Sequence, residues 1–121
     1  MIKTLAVDFT DGQSIYPKLR TELNSLELGV LVNNVGMIIE SARFVADIPN
    51  EKEINDIINC NVMSMARLCY IVLPQMIRRQ KGLILNIGSL AGAMSTPTFT
   101  IYGATKVGFY SFITCYIFYP N

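Results

Sequence analysis

The chain has 121 residues, with Lys+Arg 10 against Asp+Glu 9, 51% hydrophobic residues and 16% charged ones. This length holds a single domain, the apolar balance excludes a disordered chain, and a net charge of +1 offers no basic surface to nucleic acid. With no His in the sequence, histidine triads, histidine metal ligands and histidine pH switches are excluded, and no metal site is expected.

In chain order, Asp8 interrupts the N-terminus before a signal-peptide core can form. Residues 5–9 form a short apolar run closed by Thr10-Asp11-Gly12, which predicts a strand and a turn. Ile15, Leu19, Leu23 and Leu26 then recur at helical spacing, with Gly29 as a stop signal. Val30-Leu31-Val32 predicts a second strand, which enters Asn33-Asn34-Val35-Gly36, and a loop runs on to Pro49. Asn50 and Glu53 form a capping box for a long helix over 51–79. Its apolar stripe is Ile54, Ile57, Ile58, Val62, Met65, Leu68, Cys69, Val72 and Met76. Pro74 is expected to kink this helix or mark its last turns. Arg78, Arg79 and Lys81 suit a C-terminus, and Gly82 is expected to end it.

A third apolar run, residues 83–87, turns out through Gly88-Ser89-Leu90-Ala91-Gly92, and a final helix begins near Ile101. No uninterrupted apolar run reaches the roughly 18–20 residues of a membrane helix, so no membrane segment is expected in the chain. The alternation of strands and helices predicts an α/β layer with a parallel sheet covered on both faces. Mean hydropathy of +0.38 with few charges predicts a sizeable buried interface or a further part of the protein. Cys60, Cys69 and Cys115 form no Cys-x-x-Cys pair, and their odd number predicts reduced thiols in a reducing compartment.

Ligands of such sheets bind beyond the C-terminal ends of the strands, which directs attention to Asp8, Asn33, Val35, Gly36 and the 88–92 turn. Tyr102 and Lys106 are one helical turn apart on one face. An ammonium beside a phenol favours the phenolate, making it a usable proton donor or acceptor, although the same spacing also describes an ordinary surface pair. Ser89, thirteen positions before Tyr102, would bring a hydroxyl to the same substrate oxygen; taken singly it is a turn residue. Asn61 interrupts the apolar stripe, where an unsatisfied amide would cost about 1–3 kcal/mol. Either backbone satisfies it or it holds an ordered water.

Together these pieces resemble the short-chain dehydrogenase/reductase family over residues 5–111. The resemblance rests on Asn33-Asn34-Val35-Gly36, on Asn61 within Asn59-Cys60-Asn61-Val62, on Ser89 within Gly88-Ser89-Leu90-Ala91-Gly92, and on Tyr102-Gly103-Ala104-Thr105-Lys106. Residues 31–36 and 81–87 look like the branch holding 17-beta-hydroxysteroid dehydrogenase type 3 and very-long-chain 3-oxoacyl-CoA reductase. The resemblance implies an NAD(P)-dependent oxidoreductase, with NADP(H) preferred to NAD(H), acting on a lipophilic steroid or fatty-acyl carbonyl. It implies that Tyr102 protonates the carbonyl oxygen, Lys106 stabilises the phenolate and binds the nicotinamide ribose, Ser89 orients the carbonyl, and Asn61 holds a water. Asp8 would contact the adenine, and Asn33, Val35 and Gly36 would line the cofactor.

The family's Gly-rich pyrophosphate turn does not occur in the sequence. Residues 1–121 are therefore expected to form one partial NAD(P)-binding Rossmann domain, a doubly wound parallel sheet lacking its first two strands and its C-terminal part. Residues 113–121 also depart from the charged continuation the family shows. The isolated chain is expected to bind NADP(H) weakly and turn over slowly. The alternative is a non-catalytic subunit pairing with full-length relatives, or a homodimer, through the 51–79 and 101–118 helices. The expected location is the cytoplasm or the cytoplasmic face of the endoplasmic reticulum.

Overall fold

The computed structural model describes residues 2–39, 42–94 and 97–117, with side chains in the last helix as far as 108. Helix α1 spans Tyr16–Asn24, strand β1 Val30–Asn33 and helix α2 Glu51–Ile58. A π turn, Asn59–Met63, leads directly into α3, Ser64–Arg79. Strand β2, Leu83–Asn86, and helix α4, Thr100–Ile117, complete the order. The two strands pair in parallel, Val30 opposite Leu83 and Asn33 opposite Asn86, with the long helix as their crossover. This is a partial Rossmann-like α/β layer.

Local chemistry explains most boundaries. Asn50 caps α2 by accepting a hydrogen bond from the Glu53 amide at 3.2 Å, as the capping box predicts. At the other end Gln80, not Gly82, takes the left-handed conformation that stops the helix, with φ 50°. The amides of Gln80 and Lys81 return to the carbonyls of Ile77 and Met76 and satisfy the last turn. Pro74 lies within α3.

The long helix packs one face over the sheet and the other elements. Ile71, Val72 and Met76 meet Tyr16 and Leu19 of α1, while Met65 and Cys69 pack on the inward-facing Leu31 and Ile84. By length and composition Glu51–Arg79 could cross a membrane, but here it forms the core of the fold.

Three sequence expectations are corrected. Residues 5–9 form no strand: the chain is irregular to Asp8 and then enters a 3-10 segment, Phe9–Ile15, bent at Gly12 (φ 65°). A strand needs a ladder neighbour, and none lies beside these residues among those described. The sheet is also covered on one face only. Val30, Val32, Leu83, Leu85 and Ile87 are about half exposed on the other, so each strand alternates in and out. Finally, the apolar stripe changes phase at the π turn. One additional residue in that turn leaves Ile58 exposed and buries Cys60 and Ser64, while Ile57, Asn61, Met65, Cys69, Val72 and Met76 stay buried on the expected stripe. The expected tail beyond residue 117 lies outside the described residues.

Candidate active site

The π turn is held by Asn61. Its carboxamide docks on both backbone groups of Met37, accepting from the amide at 2.8 Å and donating to the carbonyl at 2.9 Å. The same Asn61 nitrogen donates to the Thr105 hydroxyl at 2.9 Å. Asn61 is fully buried, and backbone plus one hydroxyl satisfies it. One side chain thus ties the loop after β1 and the first turns of α4 to the long helix.

That tie brings Gly36 against Lys106. A Cβ at Gly36 would lie 3.0 Å from Lys106 Nζ and 3.7 Å from Asn61 Oδ1, so the bare backbone leaves room for the ammonium. Lys106 is 4% exposed, and its Nζ sits 5.7 Å from the centre of the Tyr102 ring. Tyr102 and Lys106 both line a hollow of about 270 Å³ with Asn34, Gly36, Met37, Ile38, Ile87 and Gly88. The hollow lies at the C-terminal ends of β1 and β2, where ligands of α/β sheets bind.

Ser89 stands one residue beyond the lining Gly88. It caps the 3-10 turn Leu90–Gly92, its hydroxyl accepting from the Ala91 amide at 3.2 Å. Two glycines set that turn against α4. A Cβ at Gly92 would fall 2.7 Å from the Lys106 carbonyl carbon, and one at Gly103 would fall 2.9 Å from the Ala91 carbonyl oxygen. The serine-bearing turn and the Tyr102–Lys106 helix are therefore in backbone contact.

The four residues expected at the cofactor fall into two groups. Asp8 and Val35 line a larger hollow of about 640 Å³, shared with Met37 and Cys60. Met37 lines both hollows. Hydrogen bonds from the Thr10 hydroxyl (2.7 Å) and amide (2.9 Å) hold the Asp8 carboxyl below the ordinary aspartate range. Gly36 faces the smaller hollow, as described. Asn33 differs: its side chain is buried and donates to Asn86 across the paired strand ends at 2.7 Å and to Cys69 Sγ at 3.3 Å. Its amide fastens the sheet.

Burial pushes the Cys60 and Cys69 thiols up, which keeps both protonated and unreactive. Both are free, as the cysteine pattern predicts for those two; the Cys115 side chain lies outside the described residues. No cluster of three metal-ligating side chains occurs among the described residues. Thr105, Met37 and the Gly92–Gly103 pair are the site components that motif reading missed. Thr105 had a signal, since it shares a helix face with Tyr102 at i+3.

A parallel sheet with a hollow at its strand ends, lined by Tyr102 and the buried Lys106, is a Rossmann-type arrangement, and comparison with known proteins agrees. Residues 1–117 match the short chain dehydrogenase family, and the chain belongs to it. It is 47% identical over 112 residues to the very-long-chain 3-oxoacyl-CoA reductase of Mus musculus, covering 90% of this chain and 36% of that one. The chain thus spans about a third of that relative's length.

Solved structures carry the same fold. The bulky-bulky ketone specific alcohol dehydrogenase of Comamonas testosteroni superposes with a TM-score of 0.82 at 30% identity, over 95% of this chain and 45% of that one. A 3-oxoacyl-[acyl-carrier protein] reductase of Brucella melitensis with bound NAD gives 0.75 at 25% identity, over 88% and 41%. ElxO with NADP bound gives 0.76 at 25% identity, over 92% and 44%.

Proposed function

We propose that residues 33–106 carry the catalytic centre of an NADP(H)-dependent ketone reductase whose substrate is a 3-oxoacyl thioester. The observation that carries this reading is the convergence of Tyr102, the buried Lys106 and the Asn61-anchored Gly36 on one hollow at the strand ends. The names of the mouse and Brucella relatives support the acyl substrate, and the bound NADP of ElxO supports NADP(H), while the Brucella enzyme holds NAD. A steroid ketone is the competing substrate.

The residues present fit the nicotinamide end of such a cofactor. Asn34 and Gly36 would line the nicotinamide end, Lys106 would offer a buried ammonium to ribose hydroxyls, and Asp8 and Val35 wall the second hollow. When bound, the cofactor supplies a hydride to the carbonyl carbon. The Tyr102 hydroxyl gives its proton to the carbonyl oxygen, which becomes the alcohol, and the Lys106 ammonium stabilises the phenolate left behind. Ser89 would steady the carbonyl. Asn61 keeps the 34–38 loop in place through Met37.

No Gly-rich turn on a helix N-terminus cradles a pyrophosphate among the described residues, so the 121-residue chain holds NADPH weakly and reacts slowly. Deuterium transfer from 4-deuterated NADPH to a 3-oxoacyl-CoA, read by mass spectrometry of the 3-hydroxyacyl product, tests this at saturating cofactor. A slow transfer that falls about 10²–10⁴-fold in Tyr102→Phe supports the reading. Equal transfer by the two proteins overturns it. A steroid ketone and deuterated NADH run in parallel decide substrate and cofactor.

The second reading, pairing through the helices over 51–79 and 101–118, is favoured by Tyr70, Ile77 and Val107, which are half or more exposed on them. Gel filtration with and without a full-length relative separates it, since a chain that stays monomeric in both counts against pairing. The free, buried Cys60 and Cys69 support a reducing location such as the cytoplasmic side of the endoplasmic reticulum.

A further inference from the structure

The hydrogen bonds of Thr105 connect two parts of the site that the motif residues leave unconnected. Its hydroxyl accepts from Asn61 Nδ2 at 2.9 Å and donates to the Tyr102 carbonyl at 2.7 Å. It is 4% exposed, next in sequence to Lys106 and one turn from Tyr102. A hydroxyl has one proton to give and lone pairs to accept with, and here both functions are engaged at once. Valine has the same shape and can do neither.

The geometry points to Thr105 as the positioning residue of the site, a clamp that fixes the first turns of α4 to the π turn and so sets where the Lys106 ammonium stands. The connection runs through named contacts. Asn61 is anchored on Met37, Met37 follows Gly36, and Gly36 is the wall against which Lys106 Nζ lies. If the Thr105 hydroxyl is removed, Asn61 keeps its grip on the loop but loses α4. The helix that carries Tyr102 and Lys106 then loses its tie to Asn61, and the ammonium leaves its enclosed position. Thr105 acts through its neighbours and touches no reacting atom. The catalytic meaning of the clamp rests on the reductase reading, whereas the clamp itself does not.

The test therefore needs neither cofactor nor substrate. The purified chain is labelled with trace acetic anhydride, and modification of Lys106 is compared by mass spectrometry with that of exposed Lys18 and Lys81. Alkylation of the fully buried Cys69 reports on the rest of the fold. In Thr105→Val, Lys106 labelling should rise about tenfold, the factor for one lost hydrogen bond, with Cys69 still protected. Thr105→Ser keeps the hydroxyl and should restore the wild-type Lys106 rate.

Equal Lys106 labelling in wild type and Thr105→Val overturns the proposal, as does a Thr105→Ser variant as exposed as Thr105→Val. Should Thr105→Val fail to fold, the wild-type chain decides by NMR. A Thr105 hydroxyl proton that exchanges slowly enough to show a cross-peak to the Asn61 side-chain amide supports the clamp, and its absence overturns it. Deuterium transfer measured on wild type and Tyr102→Phe separates this result from the reductase reading. An intact clamp with no Tyr102-dependent transfer leaves the clamp standing and removes its catalytic meaning.

Discussion

Gly92 lies directly against the backbone of Lys106: a Cβ placed on it would meet the Lys106 carbonyl carbon at 2.7 Å and its oxygen at 2.8 Å. Because the obstacle is main chain, no side-chain rotation relieves it. Gly92→Ala is expected to destabilise the fold by about 1–3 kcal/mol, the usual range for overpacking. Gly29→Ala, with nothing within 4 Å of its Cβ, should change little. Urea midpoints of the two variants check the contrast, and equal midpoints would show that the turn does not press on α4.

At Gly36 the obstacle is the end of a flexible side chain, Lys106 Nζ at 3.0 Å. Gly36→Ala should therefore keep nearly the wild-type melting temperature while displacing the ammonium. The ammonium must give way by a few tenths of an ångström, and because a displacement of about 1 Å near reacting atoms costs about 10²-fold in rate, deuterium transfer from labelled NADPH should fall severalfold. A variant that transfers normally would show that Lys106 does not need this position.

Two neighbours on α3 test the helix phase. Met76 is buried against α1, whereas Ile77 is 58% exposed. Met76→Ala should lose about 2–5 kcal/mol, enough to unfold much of a small domain, and Ile77→Ala should lose under about 0.5 kcal/mol. Chemical denaturation followed by far-UV circular dichroism measures both.

Acid stability carries the signature of Asp8. The Thr10 hydrogen bonds lower its folded value, so the native state binds fewer protons than the unfolded one just below the ordinary aspartate range. Its contribution is complete above the ordinary aspartate value of 3.8 and fades as pH falls through the lower folded value. In Asp8→Asn that part of the acid dependence should vanish, so the wild-type and variant midpoints converge toward low pH. Parallel curves from neutral pH down to pH about 2 would contradict the assignment.

How much of this was readable in advance follows the range of the interactions involved. The N-cap at Asn50, the strand over Val30–Asn33 and the Tyr102–Lys106 spacing depend on neighbours in sequence, and the structure has each of them. The π turn depends on Asn61 finding Met37, 24 positions away, so helical periodicity alone carried the apolar stripe straight through it and misplaced Ile58. The apolar residues 5–9 suit a strand, but pairing is a property of two segments, and only one is visible in a run of side chains. Asn33 looked like a ligand-lining turn residue because its motif does not reveal its partner, Asn86. Thr105 was visible as a polar residue on the right face, yet its burial is set by three elements folding together.

The π turn at Asn59–Met63 also determines how this helix answers to changes in length. An α-helix advances about 100° per residue, so excising one residue from the turn would let the helix close into an unbroken spiral. Everything before it, from Glu51 onward, would then swing by roughly that angle relative to the half that lies on the sheet. Deletions there should be felt as a change of direction rather than of composition, with the Asn50 cap and the hold on Met37 facing elsewhere while Val72 and Met76 keep their seats.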